Sequence, residues 1–126
     1  MGIHDNEIIG YEVELANNKI ILHTVSEINK YIDVLFTDVL AHYFETQIPG
    51  SILFGIDESD VSKFCAENED LLEKQKNYGW PIFYEDVIEL QGYLLKNRYK
   101  YYEITASYGL NGWILARNYE MKKLEK

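Results

Sequence analysis

The order of secondary-structure signals along the chain is the feature that most constrains its fold. Apolar and polar residues alternate near both ends of the sequence, as in half-buried β-strands, whereas helix-capping residues are concentrated in the middle. Strands followed by helices and then strands are typical of an antiparallel or mixed β-sheet with its helices on one face. We therefore predict a single α+β domain over residues 1–126, with an N-terminal hairpin, central strands, a C-terminal hairpin and two or three helices.

The N-terminal hairpin can be predicted to the level of its register. Two apolar runs, 9–15 and 20–25, flank Asn17 and Asn18. Asparagine tolerates the positive φ that both central positions of a type I′ turn require, so a two-residue turn is expected there. This turn predicts the cross-strand pairs Leu15–Ile20, Val13–Leu22 and Glu12–His23.

Residues 31–45 fit either of two elements. Ile32, Val34 and Phe36 alternate as in a strand, and the change of phase at 37–38 is typical of a bulge. The same segment also carries an apolar stripe at helical spacing. We favour strands here, and the helical alternative stays open.

The central part of the chain carries the helical signals. The acidic cluster 57–60 is suited to cap a helix over residues 60–77, with a break near Asn68 and a C-terminal glycine at Gly79. A second helix is expected from about Glu85 to Lys96. Its predicted core contacts are Val87, Ile88, Leu94 and Leu95. Two further strands, 99–107 and 113–119, then form the C-terminal hairpin.

The charge of the chain is negative and unevenly distributed. The net charge is −9 at pH 7, and residues 1–95 hold 18 acidic and 5 basic side chains, whereas residues 96–126 hold 3 and 7. Nucleic-acid binding depends on Lys and Arg that neutralise phosphates, so an acidic body argues against it. The same charge favours a basic protein partner, although it also serves solubility alone.

The remaining composition points to an intracellular protein without metal or cofactor. Cys65 is the single cysteine, so neither an internal disulfide nor a cysteine cluster for zinc can form. The first ten residues do not resemble a secretory signal, and no apolar run approaches the ~20 residues of a membrane-spanning helix. We expect a cytoplasmic protein that binds neither membrane nor nucleic acid.

No motif assigns catalytic chemistry to the chain. The three histidines occur outside metal-binding and catalytic motifs, Cys65 is expected in the core, and the serines lack a GxSxG context. Asp57, Glu58 and Asp60 are candidates for a binding surface, and with Glu67, Glu69 and Asp70 they carry enough oxygens for a calcium or magnesium site. They lack the spaced loop of an EF-hand, and most such clusters are solvated helix beginnings. We expect no metal site, and the sequence assigns no catalytic residues.

Aromatic residues provide the other candidate site. Trp80, Tyr84, Tyr108 and Trp113 are candidates for the wall of a pocket between sheet and helices, with His42 or Asp38 as its polar group. For Trp80 and Trp113 two interpretations remain open. They form either one surface site or one packing joint, and the high average burial of tryptophan favours the joint.

Several short segments resemble a known group of proteins. These segments are VLFTDVLAHYFE, ILFGIDE, YGWP and YGLNGW, in this order. They resemble small bacterial proteins of unknown function, some of which look like the immunity proteins encoded beside polymorphic toxins. The resemblance implies a non-catalytic module that binds a basic, toxin-like partner. A small enzyme or small-molecule-binding protein with an aromatic pocket is the alternative, and the sequence leaves the oligomeric state open.

Overall fold

The computed structural model describes residues 2–124 and has the α+β architecture expected from the sequence. Its sheet contains six antiparallel strands, and three helices lie between the fourth and fifth strand. The strands are β1 (Glu7–Glu14), β2 (Lys19–Val25), β3 (Tyr31–Glu45), β4 (Ile52–Ser59), β5 (Lys100–Tyr108) and β6 (Asn111–Leu124). The helices are α1 (Val61–Glu67), α2 (Glu69–Gln75) and α3 (Val87–Lys96), and short 3₁₀ turns occupy Leu15–Asn17 and Lys76–Tyr78.

The sheet closes on itself in the order β1-β2-β3-β6-β5-β4. The closing contact is short, because β1 pairs with β4 only at Glu7 and Ile52. Alternating side chains of every strand point into the enclosed space, and Leu22, Val34 and Ile114 are fully buried there. The alternation seen in the sequence therefore corresponds to inside and outside of a closed sheet.

The predicted register of the N-terminal hairpin is wrong by two residues. Val13, not Leu15, pairs with Ile20, because residues 15–17 form a 3₁₀ turn and only Asn18 adopts a left-handed conformation, with φ 51°. The connection is therefore longer than a type I′ turn, and Leu15 is 80% exposed within it. A shift of two residues preserves the faces of a strand, so Val13 still packs against the interior.

Residues 31–45 form one long bent strand, which decides between the two interpretations. Asp38 has a φ of 52°, and the pairing of β3 with β6 shifts between Val39 and Ala41. The first part of β3 places Ile32, Val34 and Phe36 inside the sheet, as their alternation predicted. Beyond the irregular region, Ala41 packs on the helix side instead.

The helices begin and end close to the predicted signals. Asp60 caps α1, Asn68 separates α1 from α2, and Gly79 ends the following 3₁₀ turn with a φ of 69°. The predicted capping cluster is corrected in one respect, because residues 57–59 extend β4 and leave Asp60 alone as the cap. Beta pairing with β5 satisfies the backbone of 57–59, which a helix start would not.

The predicted core contacts of α3 are largely wrong. Leu90 and Leu94 are fully buried, but Ile88 is 80% exposed and Leu95 is 52% exposed. Val87, at 46%, is also more exposed than a core residue. Leu90 and Leu94 both pack into the core beneath α3, because residues four apart lie on the same side of a helix.

A second apolar core lies between the helices and the outside of the sheet. Trp113 and Leu115 of β6 point outward into it, where they meet Phe64 of α1 and Leu90 and Leu94 of α3. The helices therefore cover only the part of the sheet formed by the ends of β3, β5 and β6. Within residues 2–124, none of the helices has the length and apolar character needed to cross a membrane.

Candidate binding cleft

The two tryptophans form a packing contact beneath the helices. Trp113 is 5% exposed, and its ring centroid lies 6.0 Å from that of Trp80 and 4.9 Å from that of Phe64. Tyr101 and Tyr43 complete this aromatic group, with centroids 6.1 and 6.4 Å from Trp113. Of the two interpretations, the geometry favours the packing joint, because a ring this buried offers little surface to a ligand.

The two tyrosines of the predicted pocket lie apart. Tyr84 packs against the same cluster as the tryptophans, and its hydroxyl donates to the backbone oxygen of Leu72 at 3.5 Å. Tyr108 is 56% exposed at the end of β5 and does not belong to that cluster. Three of the four predicted aromatic residues are therefore brought together, and Tyr108 is separate.

The predicted acidic residues are placed at the junction of β4 and α1. Asp57 and Glu58 belong to β4, and the Glu58 carboxylate lies 3.1 Å from the Lys100 ammonium. Asp60 accepts a hydrogen bond from the backbone N–H of Ser62 at 2.8 Å, and this bond lowers the pKa of Asp60. The capping role explains Asp60, and the ion pair accounts for Glu58.

The two polar candidates, Asp38 and His42, lie on β3. Asp38 accepts a hydrogen bond from the side-chain amide of Asn118 at 3.2 Å. His42 lies beside Phe44, with ring centroids 5.2 Å apart, and burial lowers the pKa of this histidine. Neither residue contributes to the cleft that follows.

An open cleft of about 480 Å³ lies between α2 and the segment leading into α3. Its apolar floor is formed by Cys65, Leu72 and Val87. Its walls carry five carboxylates and one ammonium group. The carboxylates are those of Glu69, Asp70, Glu73, Glu85 and Asp86, and the ammonium is that of Lys76. We call this site the acidic cleft.

The local sequence explains why these carboxylates face one another. Leu72 is 3% exposed and anchors α2 to the core, which leaves Glu69 and Glu73, four residues apart, on one accessible side of the helix. Across the cleft, Asp86 caps α3 by accepting a hydrogen bond from the backbone N–H of Glu89 at 2.9 Å. Helix beginnings favour acidic residues, so both walls are acidic for local reasons.

Lys76 already places a cation inside the acidic cleft. Its ammonium donates to the backbone oxygen of Glu85 and lies 5.4 Å from the centroid of the Tyr84 ring. Burial, together with the charge of Glu73, raises the pKa of the Tyr84 hydroxyl, so this ring stays neutral. Carboxylates, a carbonyl oxygen and an aromatic face are the groups that bind ammonium and guanidinium.

The thiol of the cleft floor is not activated. Cys65 is 4% exposed, and burial raises its pKa, which favours the unreactive protonated form. Among residues 2–124, no group of three His, Cys, Asp or Glu side chains has an arrangement that could hold a metal ion. The carboxylate-rich lining of the acidic cleft suits electrostatic binding of a cation.

Two exposed aromatic rings belong to the chain segment that leads to Tyr84 of the acidic cleft. Trp80, Ile82 and Tyr84 alternate inward into the helix-side core, so the intervening Phe83 points outward and is 83% exposed. Tyr78, just before this segment, is 79% exposed. Sequence reasoning missed these exposed rings and the cleft in which the α2 carboxylates face Glu85 and Asp86. The alternation of Trp80, Ile82 and Tyr84 is the signal that would have identified Phe83.

A separate polar cluster lies on the outside of the sheet, where His23 sits between two carboxylates. Its Nε2 is 2.6 Å from Glu12 and its Nδ1 is 2.8 Å from Asp33. Glu12 reaches His23 diagonally, because the backbone partner of His23 is Gly10. Partial burial lowers the pKa of His23, but the hydrogen bonds and charges of the two carboxylates outweigh it and raise the pKa overall.

Comparison with protein-family models, with curated proteins and with solved structures finds no match to this chain. The resemblance to immunity proteins therefore remains a prediction from the sequence.

Proposed function

We propose that this chain is a non-catalytic protein-binding module that takes a basic side chain of a partner protein into the acidic cleft. The observation that carries the proposal is the charge of the cleft, where five carboxylates face a single ammonium group. An arginine or lysine of a partner would relieve the repulsion among these carboxylates. Such a contact forms fast and weakens with salt, because opposite fields steer the encounter.

The binding mode of Lys76 indicates what a partner's cation would meet. Its ammonium donates to the backbone oxygen of Glu85 and lies over the face of the Tyr84 ring, whereas the carboxylates of Glu69, Asp70 and Glu73 line the same cleft. These three carboxylates also lack a hydrogen bond to other described residues, so they are the groups on which a second cation would bind.

The exposed rings of Tyr78 and Phe83, close in sequence to Tyr84 of the cleft, supply the apolar part of the proposed interface. Phe83 rests against the backbone of Gly79, and its segment is fixed by the inward Trp80, Ile82 and Tyr84. A ring that is exposed yet held in position contributes to binding without a large loss of conformational entropy. Charged walls with an adjacent aromatic anchor fit a protein partner better than a small ion.

Among basic partners, a toxin neutralised by this chain is the one we propose. The acidic body, the small size and the resemblance to immunity proteins support it. In this proposal the acidic cleft binds an Arg or Lys of the toxin surface and blocks it. Co-expression with a toxin-like neighbouring gene tests it directly, because the chain should restore the growth of cells that express the toxin.

A charge-matched pair of variants tests the role of the acidic cleft. The cleft variant replaces three of its carboxylates by amides, and the control variant removes three exposed carboxylates elsewhere. The substitutions are Glu69→Gln, Asp70→Asn and Glu73→Gln in the cleft, and Glu27→Gln, Glu45→Gln and Glu120→Gln in the control. Both have the same net charge, so any difference between them reports position and not overall charge.

The readout is growth rescue by each variant, followed by the affinity of the purified pair at two salt concentrations. We expect the cleft variant to lose rescue and to bind at least about tenfold more weakly, whereas the control keeps most of the affinity. Equal rescue and equal affinity for the two variants would rule out the acidic cleft as the binding site.

The second candidate is a small-molecule-binding protein with an aromatic pocket. A groove of about 290 Å³ supports it, because Tyr43 and Trp113 line this groove together with polar residues. The polar residues include Asn68, between α1 and α2, and Glu103 and Thr105 of β5. The groove contains Trp113 of the predicted pocket and neither Tyr84 nor Tyr108. A shift in Trp fluorescence on addition of an aromatic ligand, abolished by Tyr43→Ala, would support this candidate over the first.

A further inference from the structure

The outward side of α3 carries an apolar stripe that this chain does not cover. Ile88 is 80% exposed and Leu95 is 52% exposed, seven residues apart, and Gly92 lies between them. At 100° per residue these three positions fall within about 60° of one another. They point away from the buried Leu90 and Leu94. We call Ile88, Gly92 and Leu95 the outer stripe.

No contact within residues 2–124 requires a glycine at position 92. A Cβ built at this position meets no atom within 4 Å, and the residue lies inside a helix with ordinary helical geometry. Glycine in a helix interior is unfavourable compared with alanine, so its presence normally reflects close approach of another backbone. No such backbone from residues 2–124 lies within 4 Å of this position, so the space is open to a second chain.

The charges beside the outer stripe are self-complementary. Glu89 and Lys96 lie on the same flank of the stripe, one on each side of Gly92, and both are exposed. When two copies of a helix pack antiparallel about a two-fold axis, residues on the same flank face each other. Glu89 of each copy then meets Lys96 of the other, and Ile88 meets Leu95.

We propose that the outer stripe is a homodimer interface in which α3 packs antiparallel against α3 of a second copy, crossing at Gly92. A uniformly basic or acidic partner would match only one half of this surface, whereas a second copy matches both halves. The surface is distinct from the carboxylates of the acidic cleft. A single helix pair buries less than the roughly 1,600 Å² of a standard interface, so the dimer is weak and reversible.

Molar mass measured by sedimentation equilibrium over a wide range of protein concentration tests the proposal. The wild-type chain is expected to rise from the 14.8 kDa of one chain towards twice that value. Gly92→Glu places bulk and like charges at the crossing, and Leu95→Glu removes an apolar contact. Each should weaken association by about tenfold or more. Leu15→Glu, at an apolar residue 80% exposed in the N-terminal hairpin, is the matched control and should leave association unchanged.

Charge reversal tests the antiparallel arrangement itself. Glu89→Lys alone and Lys96→Glu alone should each weaken the dimer, and the double variant should restore it, because the ion pairs re-form with opposite polarity. Melting temperatures and circular dichroism identify any variant that has lost its fold. A wild-type chain that stays at the mass of one copy, or stripe variants that associate like the wild type, would overturn the proposal. Failure of the double variant to restore association would do so as well.

Discussion

Replacement of Trp113 is the substitution for which the structure gives the clearest magnitude. The ring connects the sheet to aromatic residues on the helix side, with Phe64 at 4.9 Å and Trp80 at 6.0 Å between centroids. A buried tryptophan removes roughly 200 Å² of surface from water, which at about 25 cal/mol per Å² corresponds to roughly 5 kcal/mol. Alanine retains part of this burial and leaves a cavity, so we expect Trp113→Ala to lower the free energy of unfolding by about 3–5 kcal/mol.

Urea denaturation followed by far-ultraviolet circular dichroism measures this loss without depending on the removed fluorophore. Trp113→Phe should lose less, because it retains an aromatic ring in the cluster. Tyr108→Ala, at an exposed aromatic position, should change the free energy of unfolding by less than about 1 kcal/mol. A loss below about 1 kcal/mol for Trp113→Ala, at an unchanged m-value, would refute the assignment of this ring to the core.

Four further predictions follow from single residues. Carboxylate neighbours raise the pKa of His23 above its ordinary 6.5, so its stabilising contribution is complete below that pH and declines as the pH rises through the folded-state value. Urea titrations should show this decline in the wild type and not in His23→Asn. Gly79→Ala should destabilise the fold by about 1–2 kcal/mol, because φ is 69° and the new methyl group would lie 2.5 Å from the Phe83 ring. Gly92→Ala, in open helix, should instead stabilise the monomer by about 0.5–1 kcal/mol in thermal melts. The Cys65 thiol should react with a disulfide reagent only in denaturant, and rapid reaction of the folded chain would contradict its burial.

Local signals account for the parts of the fold that the sequence predicted correctly. Asp60 and Gly79 bound the first helical region because a side-chain cap and a left-handed C-cap are chosen by one or two residues. Ile32, Val34 and Phe36 alternate because one face of their strand is buried. Each of these features depends on neighbours in the chain, so it can be recognised from a short window of sequence.

Long-range pairing accounts for most of what the sequence did not predict. The closure of the sheet depends on β1 meeting β4, and on β3 meeting β6 through pairs such as Phe36 and Tyr119. Such pairs are determined by the packing of the whole interior, so the sequence of either strand alone does not indicate its partner. The hairpin register failed for a related reason, since several turn geometries are compatible with Asn17 and Asn18.

The acidic cleft was missed because its two walls come from different parts of the chain. Each wall resembles an ordinary helix beginning, with Glu69 and Asp70 at the start of α2 and Asp86 at the start of α3. Capping preference explains each group alone, so neither indicates a site. Only the packing of Tyr84 beside Leu72 brings the two groups into one concave surface with a shared excess of negative charge.

The core contacts of α3 were predicted incorrectly for a physical reason, and that reason bears on the proposed role of α3 as an interface. Leu90 and Leu94 form one apolar face, four residues apart, and Ile88 and Leu95 form another, seven residues apart. Both spacings satisfy the helical period, so the sequence alone does not say which face meets the sheet. A helix with a single buried side usually carries polar residues opposite its apolar stripe, whereas a helix that is apolar on two sides is typical of one that packs on both. The ambiguity of α3 is therefore itself an argument that its outer face meets another surface, and Gly92 at the centre of that face is the residue a closely packed helix would require.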